Sequence, residues 1–192
     1  SPPRAGDSPT RRRPPASSEH GIFGVMARAW LAIAMTVGLV HSGFSVYWGL
    51  GGGWLLATVG QQMVSTLGDM RSVLIIVGLV KAICAIAPYV LFRRGKLSHR
   101  SWLIISWAGA AALMVWGGAG CVTAHLVLGG VVRPDGGYDK AGQIGHAWLW
   151  DPLFLIWSLA LMAGLMTHRR EMGRRQAARA GSDCGTAVPP AS

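Results

Sequence analysis

The sequence predicts an all-α fold: a polytopic membrane protein built as a four-helix transmembrane bundle, with an amphipathic segment on its outer face. Three observations point there. Of 192 residues, 51% are hydrophobic and only 14% are charged, against the usual quarter of charged residues in a soluble domain. All the charges but one, Lys81, fall between four long apolar runs rather than within them. The 18 Lys and Arg, set against 8 Asp and Glu, alternate between cation-rich and cation-poor connections, the pattern that orients helices in a bilayer.

Residues 1–20 are mostly Pro, Ser and Arg with almost no large apolar side chain, so residues 1–24 are expected to form a basic, unstructured cytoplasmic tail. The first span is 29–48. No charge lies between Arg28 and Asp69, and 20 mostly apolar residues cross a hydrocarbon core of about 30 Å. Basic residues before this run also suit a signal peptide, but the run exceeds a usual signal core and no A-x-A site follows Trp48. Gly51, Gly52 and Gly53 form a turn leaving the membrane; without a following G-K-[ST] they are not a phosphate loop. Leu56, Val59, Met63, Leu67 and Met70 then recur at helical steps while Thr58, Gln61, Gln62, Ser65 and Asp69 fall elsewhere. This predicts an amphipathic helix on the outer membrane face or over the mouth of the bundle.

The second span, 73–92, contains one charge, Lys81, and the third, 102–128, contains none. Pro134, Asp135, Gly136 and Gly137 mark a loop. Asp151 before Pro152 has the form of a helix start, with the carboxylate capping free amides and proline in the first helical position. The fourth span is 152–167. Residues 169–192 are a second basic cytoplasmic tail, whose Arg169, Arg170, Arg174, Arg175 and Arg179 alternatively continue the span as a helix on anionic lipid. Residues 25–168 thus form one four-span domain.

Fourteen of the 18 cations lie before the first span, between the second and third, or after the fourth. Both termini are then cytoplasmic in a multi-pass protein of the cell membrane. The partners expected are a bilayer with anionic headgroups at its inner face and either a second copy or another membrane protein. A nucleic-acid partner needs a continuous basic face, which these scattered clusters do not make. Small residues mark helix contacts in lipid: Ala34, Gly38, Ser42, Ser45 and Gly49 in the first span, and Ala108 with Ala112, Gly117 with Cys121, and Gly120 with Ala124 in the third.

Lys81 is the chemical singularity. Near the bilayer centre a lysine costs roughly 2.5–3.5 kcal/mol on an insertion scale, and its helical face, Gly78, Cys84, Ala85 and Pro88, is the least bulky of the span. It therefore faces protein. Helical side chains lean toward the N-terminus, here the outer end, so its candidate partners are His41, Tyr47, His125 and Asp151. One reading is an ion-pairing or ligand-contacting group in a polar pocket open to the outer side; the other is a structural lysine bonded to a backbone carbonyl. His41, His125 and His146 share an outer depth range, which raises haem or metal ligation, but no H-x-x-x-H or H-E-x-x-H spacing supports it. Neither a metal nor any other cofactor is expected. Trp54, Trp148 and Trp150 fit an aromatic belt at the headgroup level. Cys84 and Cys121 read as small packing residues; no Ser, His and Asp arrangement suggests an enzyme, and no paired intramembrane carboxylates suggest proton pumping.

The stretch Tyr47-Trp48-Gly49-Leu50-Gly51-Gly52-Gly53-Trp54 resembles the Y-W-x-x-G-G signature of a bacterial, mainly actinobacterial, family of four-span membrane proteins catalogued only as a domain of unknown function. His146 to Trp157, containing Asp151 and Pro152, resembles the start of that family's last span. The resemblance covers about Val25 to His168 and implies the same topology, with no established activity. Where many relatives carry a histidine two residues before the Tyr-Trp pair, this chain has Ser45.

The function expected is that of a non-enzymatic binding or accessory component of the membrane. A small-solute transporter with an outward-facing pocket around Lys81, and a haem- or quinone-linked redox protein, are the alternatives.

Overall fold

In the computed structural model the described residues are 16–61, 64–65 and 71–185. They form α1 (Ala16–Gly49), a 3₁₀ turn (Leu56–Val59), α2 (Arg71–Arg93), α3 (Arg100–Leu128), α4 (Lys140–Gly145), a π-helical turn (His146–Trp150) and α5 (Asp151–Gly185). Among the described residues there is no strand. Four helical stretches are long and apolar enough to cross a membrane: Ile22–Gly49, Arg71–Arg93, Arg100–Leu128 and Lys140–Ala180, with mean hydropathies of 1.8, 2.4, 1.6 and 1.6. The chain is thus an all-helical, multi-pass design. The 3₁₀ turn and α4 lie at one end, the capped end; α1 starts and α5 finishes at the other, the terminal end.

Two helices outrun the apolar runs that announce them. α1 begins at Ala16, inside the segment whose composition suggests an unstructured tail, and residues 1–15 lie outside the described ones. α5 continues to Gly185, so the arginine-rich stretch is helical. The two extensions pack together. Buried Glu171 pairs with Arg175 one turn on and lies beside Gly24, while the Arg174 guanidinium sits 4.2 Å from the Phe23 ring centroid.

Packing follows the small residues. The α1 stripe Ala34, Gly38, Ser42, Ser45 and Gly49 is buried throughout. Gly38 admits Ala85 of α2 and Trp157 of α5, and Ser42 Oγ donates to the Gly78 carbonyl at 2.6 Å. On α3, Gly117 lies against Asp151 and Phe154, and Ser158 Oγ of α5 donates to the Ala110 carbonyl at 2.8 Å. Ala108 and Ala112 are exposed; the packed face of α3 is instead Ser106, Ala110, Gly117 and Ala124. α1 therefore lies between α2 and α5, and α3 lies on the far side of α5. α2 and α3 touch only sparsely, so the bundle is open along one edge.

The capped end departs from the sequence pattern in two places. A continuous amphipathic helix from Leu56 does not form: the 3₁₀ turn ends at Gly60, whose φ of 107° no helix accommodates. Positions 62, 63 and 66–70 of that expected helix lie outside the described residues. Asp151, expected as a helix cap, lies in mid-helix with φ −75° and ψ −38°. The cap is Asp139, whose carboxylate accepts from Ala141 N–H. Pro152 has no N–H for the carbonyl four residues back, and the π turn immediately before it absorbs the mismatch without ending the helix.

Candidate functional site

Lys81 sits about 15 Å along α2 from Arg71 and about 18 Å from Arg93, at 1.5 Å per residue. Its neighbours one turn away, Gly78 and Ala85, are buried against α1, which turns the lysine the same way. Cys84, grouped with that face by spacing, is exposed. The Lys81 ammonium donates to Ser45 Oγ at 3.2 Å and lies 3.4 Å from His41 Nδ1. It stands 5.5 Å from the centroid of the Phe154 ring on α5. Ser45 and His41 are 2% and 6% exposed. Among the described residues no carboxylate pairs with Lys81. His41 Nε2 is buried without a partner, and such a group carries the full penalty of lost hydration, about 1–3 kcal/mol.

Toward the capped end the site is roofed by aromatic rings. The His41 ring lies 4.0 Å from Phe154 and 5.9 Å from Trp150. Trp150 in turn meets Phe44 at 5.1 Å and Trp48 at 4.9 Å. Both indoles are tied down: Trp48 Nε1 donates to the Trp54 carbonyl at 2.9 Å, and Trp150 Nε1 to the carbonyl and hydroxyl of Thr58 at 3.1 Å each. Trp150 is 3% exposed where Trp148 is 71% exposed, so of this pair only Trp148 has the exposure of a belt residue. The roof closes the site from the capped end, the end that the sequence leads one to expect on the outer side. Two hollows at the capped end, one lined by Gly53, Leu56, Ala57, Gln61, Val64 and Ser65, do not include Lys81.

Of the four partners proposed from sequence, only His41 meets Lys81. Tyr47 is exposed, and its hydroxyl accepts from Trp54 N–H at 3.4 Å. A Cβ at Gly52 would overlap the Tyr47 ring, and Gly51 has φ 100°. The motif Tyr47, Trp48, Gly51, Gly52 and Trp54 thus folds back on itself as a locked turn. His125 is exposed, with Nδ1 2.7 Å from the Cys121 carbonyl and its ring 5.0 Å from Trp148. Buried Asp151 lies 3.1 Å from His146 Nδ1 and against Gly120 of α3, while His146 Nε2 lies 3.2 Å from the Val59 carbonyl. His41, His125 and His146 therefore have separate surroundings, and among the described residues no group of three metal-ligating side chains converges.

Three contacts were missed from sequence. Ser45 lies one helical turn beyond His41, a signal available but spent on the packing stripe. Phe154 offers no polar signal. His146 and Asp151 are five residues apart, a spacing that only the π turn brings together. At the surface, Asp139 ties the loop to α4. Amides of Gln61, Gly142 and Ala141 hold its carboxyl below the usual carboxylate range, with Gln61 N at 2.8 Å and Ala141 N at 3.1 Å.

Nothing among curated proteins or solved structures matches the chain. Residues 38–161, from within α1 to the first third of α5, match the family model described as "Protein of unknown function (DUF3995)".

Proposed function

Because the chain belongs to this family of proteins of unknown function, DUF3995, we propose its role from its own geometry: a non-enzymatic binding component of the cell membrane, with the ligand seated at Lys81, His41 and Ser45. Both termini are cytoplasmic. The concentration of cations in residues 1–28, in the α2–α3 connection and after Thr167 supports that orientation.

The observation that carries this reading is an incomplete polar site in an apolar setting. An ammonium has three donors. Two of them face Ser45 and His41, while the buried carboxylates among the described residues, Asp151 and Glu171, are engaged with His146 and Arg175 instead. A structural lysine would be expected to complete its bonds within the chain. Against the transporter reading, a solute from the outer side needs a polar path, and Trp48 and Trp150 occupy it. Against the redox reading, the three outer-depth histidines do not face one another.

The test is gentle extraction of the full chain followed by mass spectrometry of what remains bound. A small molecule or lipid enriched in the wild type and depleted at least tenfold in a folded Lys81→Met variant supports the reading. Identical bound inventories in the two proteins overturn it.

A further inference from the structure

We propose that the ligand of this site is a lipophilic carboxylate, whose headgroup docks on Lys81 from within the bilayer through the open edge between α2 and α3. This rests on the reading of Lys81, His41 and Ser45 as a binding site. Three independent features converge on that chemical class.

The first is charge. The site offers an ammonium, an imidazole and a hydroxyl, and no anion among the described residues neutralises it. The third ammonium proton meets only the face of Phe154, a weak acceptor beside an ionised oxygen. A monoanionic acceptor completes both the hydrogen bonding and the charge balance, which is what a cation in hydrocarbon requires.

The second is the direction of access. The capped end is closed by tryptophans bonded to the loop backbone, while Lys81 itself is only partly buried. Phe154 lies between the two edge helices. Its ring lies under the Lys81 ammonium, and its Cβ packs on Gly117 of α3, so it bridges two helices that otherwise barely touch. The way in is sideways, from lipid.

The third is depth. Lys81 is about 15 Å or more from either end of α2, beyond the reach of a phospholipid phosphate, which stays ionised and therefore at the interface. A carboxylic acid enters hydrocarbon in its protonated form, releases that proton to water at the interface on docking, and is then, as the carboxylate, a strong acceptor beside the cation. Long-chain acids combine that headgroup with an apolar body suited to the gap.

The experiment uses the full chain in lipid nanodiscs with palmitate as probe, and with methyl palmitate, menaquinone-4 and phosphatidylglycerol as competitors. Saturable palmitate binding, at least tenfold tighter than methyl palmitate, is expected. It should be weakened at least tenfold in Lys81→Met and largely kept in Lys81→Arg. If methyl palmitate or menaquinone-4 competes as well as palmitate and both depend on Lys81, the carboxylate assignment is wrong while the binding site stands. Equal competition by phosphatidylglycerol overturns the assignment in favour of a lipid headgroup. Palmitate binding unchanged in a folded Lys81→Met overturns the docking on Lys81, and an unchanged extract inventory in the same variant separately overturns the binding role. The wild-type competition decides the ligand class even where a variant does not assemble.

Discussion

Gly120 leaves no room for a side chain: a Cβ there would overlap the Asp151 carboxylate, whereas one at Gly118 would meet only Leu155 at 3.8 Å. Gly120→Ala should therefore destabilise the protein by about 1–3 kcal/mol, the usual range for overpacking. Gly118→Ala should stay within about 0.5 kcal/mol of the wild type. Thermal unfolding of both in the same detergent checks this, and equal midpoints would contradict the packing described. Asp139 makes a second prediction, about pH. Its carboxyl is held low by amides that bond the ionised form, so its contribution is present above the ordinary carboxylate value and is lost as pH falls through the depressed one. Hydrogen exchange at Gln61 and Ala141 should be protected at neutral pH and rise as pH falls below the ordinary carboxylate range, and in Asp139→Asn that acid step should vanish. Legibility at this scale was uneven. Lys81 stood out because it was alone in an apolar run, and His41 because its depth matched. Asp151 misled because the Asp-Pro pair satisfies a local capping rule, which continuous helix on both sides overrules.

The helices themselves were legible because hydrocarbon imposes a length, and runs free of charge announce it. Their ends were not. Ala16–Arg28 and Arg169–Gly185 lie outside the apolar runs, where no apolar pattern constrains the chain, and contacts such as Arg174 on Phe23 decide instead. The π turn was illegible for another reason: periodicity assumes 3.6 residues per turn, and a wider turn shifts every later residue around the axis. Helix pairing can be tested through Ser42, whose hydroxyl bonds the Gly78 carbonyl across the α1–α2 interface. Ser42→Ala should cost about 0.6–2 kcal/mol, the range for one interhelical hydrogen bond in a membrane, while Gly43→Ala, with nothing near its Cβ, should cost less. Reversible unfolding in mixed micelles measures both.

Across the whole molecule, the order α2, α1, α5, α3 leaves the outer flanks of α2 and α3 to lipid. A spin label on Cys84, which is exposed, should collide with dissolved oxygen far more often than one on Ala85→Cys in a background lacking the native cysteines, because Ala85 is buried against Gly38. Equal accessibilities would mean that α2 is covered on both sides. The number of spans was readable from the sequence, and the open edge was not, since it depends on which stripes meet rather than on where they lie. α5 carries one more consequence. At 1.5 Å per residue its 35 residues measure about 52 Å, against a hydrocarbon core of about 30 Å. A hydrocarbon core of that thickness does not hold the whole rod, so its arginine-bearing third runs on past it, held against the start of α1 through Glu171 and Arg174.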